Sequence, residues 1–152
     1  MGEIKLSSGD IVLIDDHNLD KTKSFSWHKD SKGYAYCHSW ENGVDRPIRM
    51  HRFLMSPPEG SDVDHINGNR LDNRLSNLRI CSRGQNIWNS KLKKNNSSGF
   101  KGVDFVKSKS LFRARIRTIF GRINLGYFKT AEEAAESYIE AANYHHGIFA
   151  KL

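Results

Sequence analysis

The chain has 152 residues, 24 Lys+Arg against 17 Asp+Glu, a formal net charge of +7, and 38% hydrophobic residues. That length suits one domain or two small ones with modest cores, which excludes an elaborate multidomain enzyme, and the apolar content excludes wholesale disorder. The longest aliphatic run, residues 11–14, is far too short to cross a bilayer, and the basic excess points to a polyanionic partner, most simply nucleic acid.

In chain order, residues 10–14 (Asp-Ile-Val-Leu-Ile) predict a buried strand, and residues 33–40 alternate at period two. Glu41-Asn-Gly-Val44 carries an Asn-Gly hairpin signal leading into a partner strand over residues 46–54. Ser56-Pro-Pro-Glu-Gly60 then breaks the chain. Residues 78–81 read as a short strand, and the capping box Ser82-Arg-Gly-Gln85 opens a helix near Arg83 with Asn86 in its first turn or so. Residues 91–98 are polar, basic and aperiodic, as in a linker. Fully extended, they reach about 26–29 Å, or about eight base pairs of duplex. Three strands are predicted over residues 100–106, 112–118 and 123–128. The capping box Thr130-Ala-Glu-Glu133 follows, and its helix aligns Ala131, Ala134, Ala135, Tyr138, Ala141 and Ala142 on one face until Gly147. The expected class is α+β: a small N-terminal β layer and a polar motif region over residues 1–90, then a three-stranded antiparallel sheet packed on one helix over residues 99–152.

Charge divides along the same line. Residues 1–90 hold 12 Lys+Arg and 12 Asp+Glu, while residues 91–152 hold 12 and 5, which accounts for the whole +7. Such asymmetry marks two modules with different jobs. Cys37 and Cys81 form no C-x-x-C pair and suit a reducing compartment. With no signal-peptide pattern at the start, a cytoplasmic protein is expected.

The segment between the first strands and the linker is dense in Asp, His and Asn rather than in apolar residues. A strand ending in Asp64-His65, a long polar loop, a short strand and a helix would bring Asp64, His65 and Asn86 together. Carboxylate and amide oxygens are hard donors, suited to Mg²⁺ or Mn²⁺ rather than Zn²⁺. Two protein ligands leave most of the coordination shell to water and a phosphate. An adjacent His titrates near neutrality and can deprotonate a water. A cation stabilises the charge that then develops on the phosphate and the leaving 3′ oxygen. Singly, loop Asn residues are usually turn caps and Asp-His pairs are common; the combination at this spacing points to phosphodiester hydrolysis.

Residues 51–89 resemble the HNH endonucleases, particularly the phage homing type in which the last His is replaced by Asn. The matching positions are Asp64-His65, Asn77 twelve residues on, and Asn86 nine further. The resemblance implies a ββα-metal fold. It also implies one divalent cation, Mg²⁺ or Mn²⁺, held by Asp64 and Asn86, with His65 as general base and Asn77 bracing the loop and orienting His65. Met50-His51-Arg52 precedes the motif as the family often shows. Either His51 or Arg52 is a candidate contact to the scissile phosphate, the other being packed structurally.

Phe112-Arg-Ala-Arg-Ile-Arg117 alternates, directing Phe112, Ala114 and Ile116 to the helix and Arg113, Arg115 and Arg117 to the opposite face. Three arginines in register favour a nucleic-acid face over a merely solvated one, with Lys101, Lys107, Lys109 and Arg122 as further candidate contacts. Gly99-Phe-Lys-Gly-Val103, Leu125-Gly-Tyr-Phe128 and Thr130-Ala-Glu-Glu-Ala-Ala135 resemble the plant ethylene-response-factor (APETALA-type) DNA-binding domain. That family places its sheet in the major groove. Asp104 stands where those domains usually carry a DNA-contacting Arg, so base preference does not transfer. The expected protein is a homing-type endonuclease from a phage or other mobile element. It would act on double-stranded DNA as a monomer or homodimer, in the host cytoplasm if phage-encoded. The alternative is a non-catalytic DNA-binding regulator; an RNA-binding module is weaker because no single-strand stacking motif is present.

Overall fold

The computed structural model describes residues 1–41, 43–92 and 94–151; Asn42 of the expected hairpin signal and Lys93 of the expected linker lie outside them. The chain forms two compact units, Met1–Arg83 and Gly84–Leu152. Small antiparallel sheets and short helices make it α+β, as expected.

In the first unit, β1 (Gly2–Lys5) and β2 (Ile11–Ile14) form an antiparallel hairpin. Val12 and Ile14 are buried and Ile11 is exposed, so the strand predicted as buried is buried on one face only. A 3₁₀ turn, Asp16–Asn18, and the short helix α1 (Leu19–Thr22) follow. The Thr22 hydroxyl donates to the carbonyls of Asn18 and Leu19, both at 3.0 Å, and the Thr22 carbonyl accepts the Trp27 indole N–H at 2.9 Å. That last bond lets the Trp27 ring sit in the core without an unsatisfied donor.

Strands β3 (His28–Lys29), β4 (Ala35–Glu41) and β5 (Val44–Arg49) form an antiparallel sheet in that order. The strand predicted over residues 46–54 ends early, because helix α2 (Met50–Met55) takes its second half. Met-His-Arg-Phe-Leu-Met contains no β-branched residue to resist a helix. Ser56, left-handed at φ 41°, closes it before Pro57-Pro58. Met50 is fully buried, and Phe53 packs edge-on against Phe25 and Trp27 at 5.1 and 6.0 Å between ring centroids. With Leu6, Val12, Ile14, Ala35 and Cys37 these residues make the core. Strands β6 (Asp62–His65) and β7 (Leu78–Cys81) form a separate antiparallel pair.

Helix α3 (Arg83–Trp88) starts where the capping box predicts, and all but its first residue lie in the second unit. There β8 (Val103–Val106), β9 (Leu111–Thr118) and β10 (Gly121–Phe128) form an antiparallel sheet with β9 central. Helix α4 (Ala131–His146) packs on all three strands through Ala134, Ala135, Tyr138 and Ala142. The capping box is closed in both directions: Glu133 N–H donates to Thr130 Oγ1 at 3.2 Å, and Thr130 N–H donates to Glu133 Oε2 at 3.3 Å. Gly102, at φ 75°, lies tightly under helix α4; a Cβ there would lie 2.2 Å from the Tyr138 ring.

Part of the expected linker is an ordered turn. Asn96 Oδ1 accepts the Gly99 N–H at 2.7 Å, and the Ser98 hydroxyl donates to the Val103 carbonyl at 2.8 Å. The first strand of this sheet therefore begins at Val103 and not at residue 100. Cys37 and Cys81 are buried and unbridged. Among the described residues, no helix is long and apolar enough to cross a membrane.

Candidate active site

The β6–β7 pair sets Asp64 opposite Arg79 and His65 opposite Leu78, at the mouth of the polar loop that joins the two strands. His65 is buried, and its Nε2 lies 3.3 Å from Asn73 Oδ1. Because an amide oxygen only accepts, this contact puts the ring proton on Nε2 and makes Nδ1 the basic nitrogen. Burial holds the His65 pKa below that of an ordinary histidine, against opposing pulls from Asn73 and Asp64. The ring is thus in its neutral, proton-accepting form at physiological pH.

Asn73 is fully buried and is fixed from the N-terminal hairpin. Its N–H donates to the Leu13 carbonyl at 2.8 Å, while Leu13 N–H donates to the Leu71 carbonyl at 2.9 Å. Asp15 Oδ2 accepts the Leu75 N–H at 2.7 Å. The first strands, which carry no chemical motif, are therefore a splint for this loop.

Asn77 spans the loop: its Oδ1 accepts the Asn67 N–H at 3.0 Å and its Nδ2 donates to the Asp72 carbonyl at 2.7 Å. The amide facing His65, however, belongs to Asn73, whose sequence setting looks like a turn. Asp72 is buried and ion-paired with Arg74 at 2.7 Å; Arg74, with help from Asn67, holds its carboxyl below the usual range.

Asp64 is buried and accepts from Arg79 Nε and Nη2 at 2.9 and 2.7 Å, both on Oδ2. Asn86 lies on α3. The Asp64 carboxylate is a hard oxygen donor of the kind that suits a divalent cation keeping most of its shell as water and phosphate oxygen. Arg79 is the group such a cation would compete with at Asp64. Among the described residues, no three His, Cys, Asp or Glu side chains group as a metal site.

Behind His65 stands an aromatic and basic cluster around Tyr34. The His51 ring lies 5.0 Å from that of His65, and the Tyr34 ring lies 5.1 and 5.9 Å from the two. The guanidinium carbons of Arg49 and Arg70 sit 4.5 and 4.6 Å from the Tyr34 centroid. Asp30 pairs with Arg49 at 3.0 Å, and Arg70 donates to the Lys32 carbonyl. Of His51 and Arg52, His51 is the packed one: it is buried on α2 and its Nδ1 has no hydrogen-bond partner among the described groups. Burial first, then the charges of His65, Arg49 and Arg52, push its pKa down to about 3. Arg52 is exposed and donates to the Ser61 carbonyl at 2.9 Å.

In the second unit, Ala114 and Ile116 are buried toward α4 while Arg117 and Arg122 are exposed and directly cross-strand. Arg113 and Arg115 both pair with Asp104, at 2.7 and 2.9 Å. Lys107 is exposed, and the Lys109 ammonium lies 3.9 Å from the Tyr127 ring centroid. Lys101 departs from its expected place on a DNA face. Its ammonium donates to the carbonyls of Trp88, Ser90 and Lys151 at 2.5, 3.0 and 3.2 Å, and burial lowers its pKa to about 8. With the Trp88 ring stacked 4.2 Å from that of His146, Lys101 ties the end of α3 into this unit.

Comparison with known proteins adds to this geometry. Residues 56–87 match the family model described as HNH endonuclease. The chain is 41% identical over 59 residues to Protein 3.8 of Escherichia phage T7, covering 39% of this chain and 49% of that protein. It is 30% identical over 130 residues to an uncharacterized HNH endonuclease of Acanthamoeba polyphaga mimivirus, covering 80% of this chain and 64% of that protein. The chain thus spans about half of the first relative's length and just under two thirds of the second's. No solved structure matches it. The loop, strands and helix start that carry Asp64, His65, Asn73, Asn77 and Asn86 all fall within the stretch that matches the HNH endonuclease family.

Proposed function

We propose that the chain is a metal-dependent DNA endonuclease of the homing type, hydrolysing phosphodiester bonds in double-stranded DNA. The observation that carries this reading is a neutral, buried imidazole, oriented by Asn73 and adjacent to Asp64, inside the HNH-matched stretch. His65 takes a proton from the water that attacks phosphorus, and Asn73 keeps the ring's basic nitrogen in place while Asn77 holds the loop. Asp64 and Asn86 hold one Mg²⁺ or Mn²⁺, which when bound stabilises charge on the phosphate and the leaving oxygen. Arg52 is the better-exposed phosphate contact. The second unit is the reader, its sheet set against the duplex as in the domains it resembles, through Lys107, Lys109, Arg113, Arg115, Arg117 and Arg122. A monomer suffices for a nick; a homodimer supplies the two sites of a double-strand cut. The phage and mimivirus relatives agree with a mobile-element origin.

Supercoiled plasmid with Mg²⁺ or Mn²⁺ tests this directly. The wild-type chain should nick or linearise it, EDTA should stop the reaction, and His65→Ala should remove most turnover while DNA binding survives. One observation favours the alternative, a DNA-binding regulator: Asp64 is already ion-paired with Arg79. A chain that binds DNA but never cuts, across several metals and its own flanking DNA, would establish that reading.

A further inference from the structure

Two large apolar side chains stand out of the reader at one point. The hairpin joining β9 to β10 turns at Ile119 and Phe120, which are 75% and 91% exposed, Phe120 being the most exposed large hydrophobic residue among those described. Hairpin tips ordinarily hold Asn, Asp or Gly, because a tip has nothing to bury. The tip is also braced. The buried Thr118 hydroxyl accepts the Phe120 N–H at 3.2 Å and donates to the Gly121 carbonyl at 3.2 Å, and Gly121, at φ 122°, takes the backbone angle that the return requires. Directly behind the two residues, Arg117 and Arg122 face each other across the strands, both exposed. The unit that carries this tip also holds the chain's entire net charge of +7.

An apolar point backed by paired cations has a specific chemical fit. Arginines bind the phosphates on either side of a base step, and a Phe or Ile inserted between the base pairs unstacks them and kinks the duplex. A protein partner of opposite charge would meet the arginines but would not need a rigid, narrow tip. A tip held by its own hydrogen bonds loses little conformational freedom on insertion. We propose that Ile119 and Phe120 form a wedge that enters a base step of duplex DNA, locally untwisting and bending it. The inference rests on the reading of the second unit as a DNA reader and adds a deforming function to it.

Closed circular plasmid relaxed by a metal-independent topoisomerase in EDTA is a probe that needs no target sequence and permits no cutting. Bound wild-type chain should shift the topoisomer distribution, since an unstacked step is untwisted. Phe120→Ala should lose the shift and bind roughly 5- to 100-fold more weakly, the range seen when an aromatic ring leaves a base. Because no charge changes, its salt dependence should stay parallel to wild type. Phe120→Leu should restore part of the shift. Wild type that binds the plasmid with no shift, or a shift unchanged in Phe120→Ala, overturns the wedge and leaves the reader intact. Failure of wild type to bind DNA removes both. Phe120-dependent dimers without DNA, seen by sedimentation, would reassign the tip to contact between copies and also overturn it.

Discussion

His51 and His65 lie ring against ring, and burial pushes both imidazoles below the ordinary histidine pKa, His51 to about 3. His51 keeps its neutral form down to about pH 3 because burial and the neighbouring cations disfavour imidazolium. The unfolded chain has no such constraint and takes up that proton near pH 6.5. Between those values the unfolded state binds more protons, so stability is fully present above about pH 6.5 and falls as pH drops toward 3. Each pH unit in that window is worth up to about 1.4 kcal/mol. His51→Phe should therefore flatten the acid loss, narrowing it by about 2–3 kcal/mol between pH 7 and 4.5 in urea titrations. His65, shifted the same way, leaves a residual slope of the same sign. An unchanged slope would place His51 in a wetter setting than the structure gives it.

Asn73 offers a second test at this scale. Its side-chain oxygen lies 3.3 Å from His65 Nε2, so, with His65 as the proposed general base, Asn73→Ala should lower kcat on the order of 10- to 100-fold. Its DNA affinity and KM should be nearly unchanged, because the residue positions the base and does not bind substrate. Asn73→Asp keeps an acceptor oxygen on Nε2 and should recover part of the rate. Equal losses in kcat and in binding would mean that the loop had collapsed instead.

Among the elements, the sharpest constraint is the approach of α4 to the sheet at Gly102. A side chain there meets the Tyr138 ring at 2.2 Å and the Arg115 carbonyl at 2.7 Å while also facing a positive φ. Gly102→Ala should cost about 1–3 kcal/mol from backbone strain, with a comparable penalty for overpacking. Hydrogen exchange should show it as faster opening of β8, β9 and β10. The same contrast explains which elements could be read from sequence. Strand β9 was legible because one of its faces meets alanines and the other water, so burial is written as alternation. Helix α4 was legible from its cap. Residues 50–55 were not, because a short run of Met, His, Arg, Phe and Leu fits either period and only the Pro57-Pro58 stop is local. Asp64, His65, Asn77 and Asn86 were marked by spacing along the chain. Asn73, Tyr34 and Arg49 reach the candidate site through contacts with residues distant in sequence, such as Asn73 on Leu13. Such contacts leave no periodicity to detect.

At the scale of the whole molecule, the division of charge survives the change of seam. Residues 84–90 carry no Lys, Arg, Asp or Glu, so moving them to the second unit leaves the first at 12 basic and 12 acidic residues. On the proposed reading, long-range attraction to DNA would come from the second unit, and Asp104 sits inside its arginine row. One carboxylate bridging Arg113 and Arg115 cancels a unit of charge and also fixes where both guanidinium forks point. Asp104→Ala should therefore tighten binding to arbitrary duplex and steepen its salt dependence, by about one unit in the slope of log K against log salt if one more phosphate is neutralised. Preference for a favoured sequence over arbitrary DNA should narrow at the same time, since the forks lose their common anchor. Replacing Arg113, Arg115 and Arg117 by Ala should flatten the slope instead. Fluorescence anisotropy on labelled duplexes between 50 and 200 mM salt, a range in which counterion release dominates, resolves all three effects. If the slope responds to neither change, the β9 face does not meet DNA, and the reader must grip the duplex by another surface.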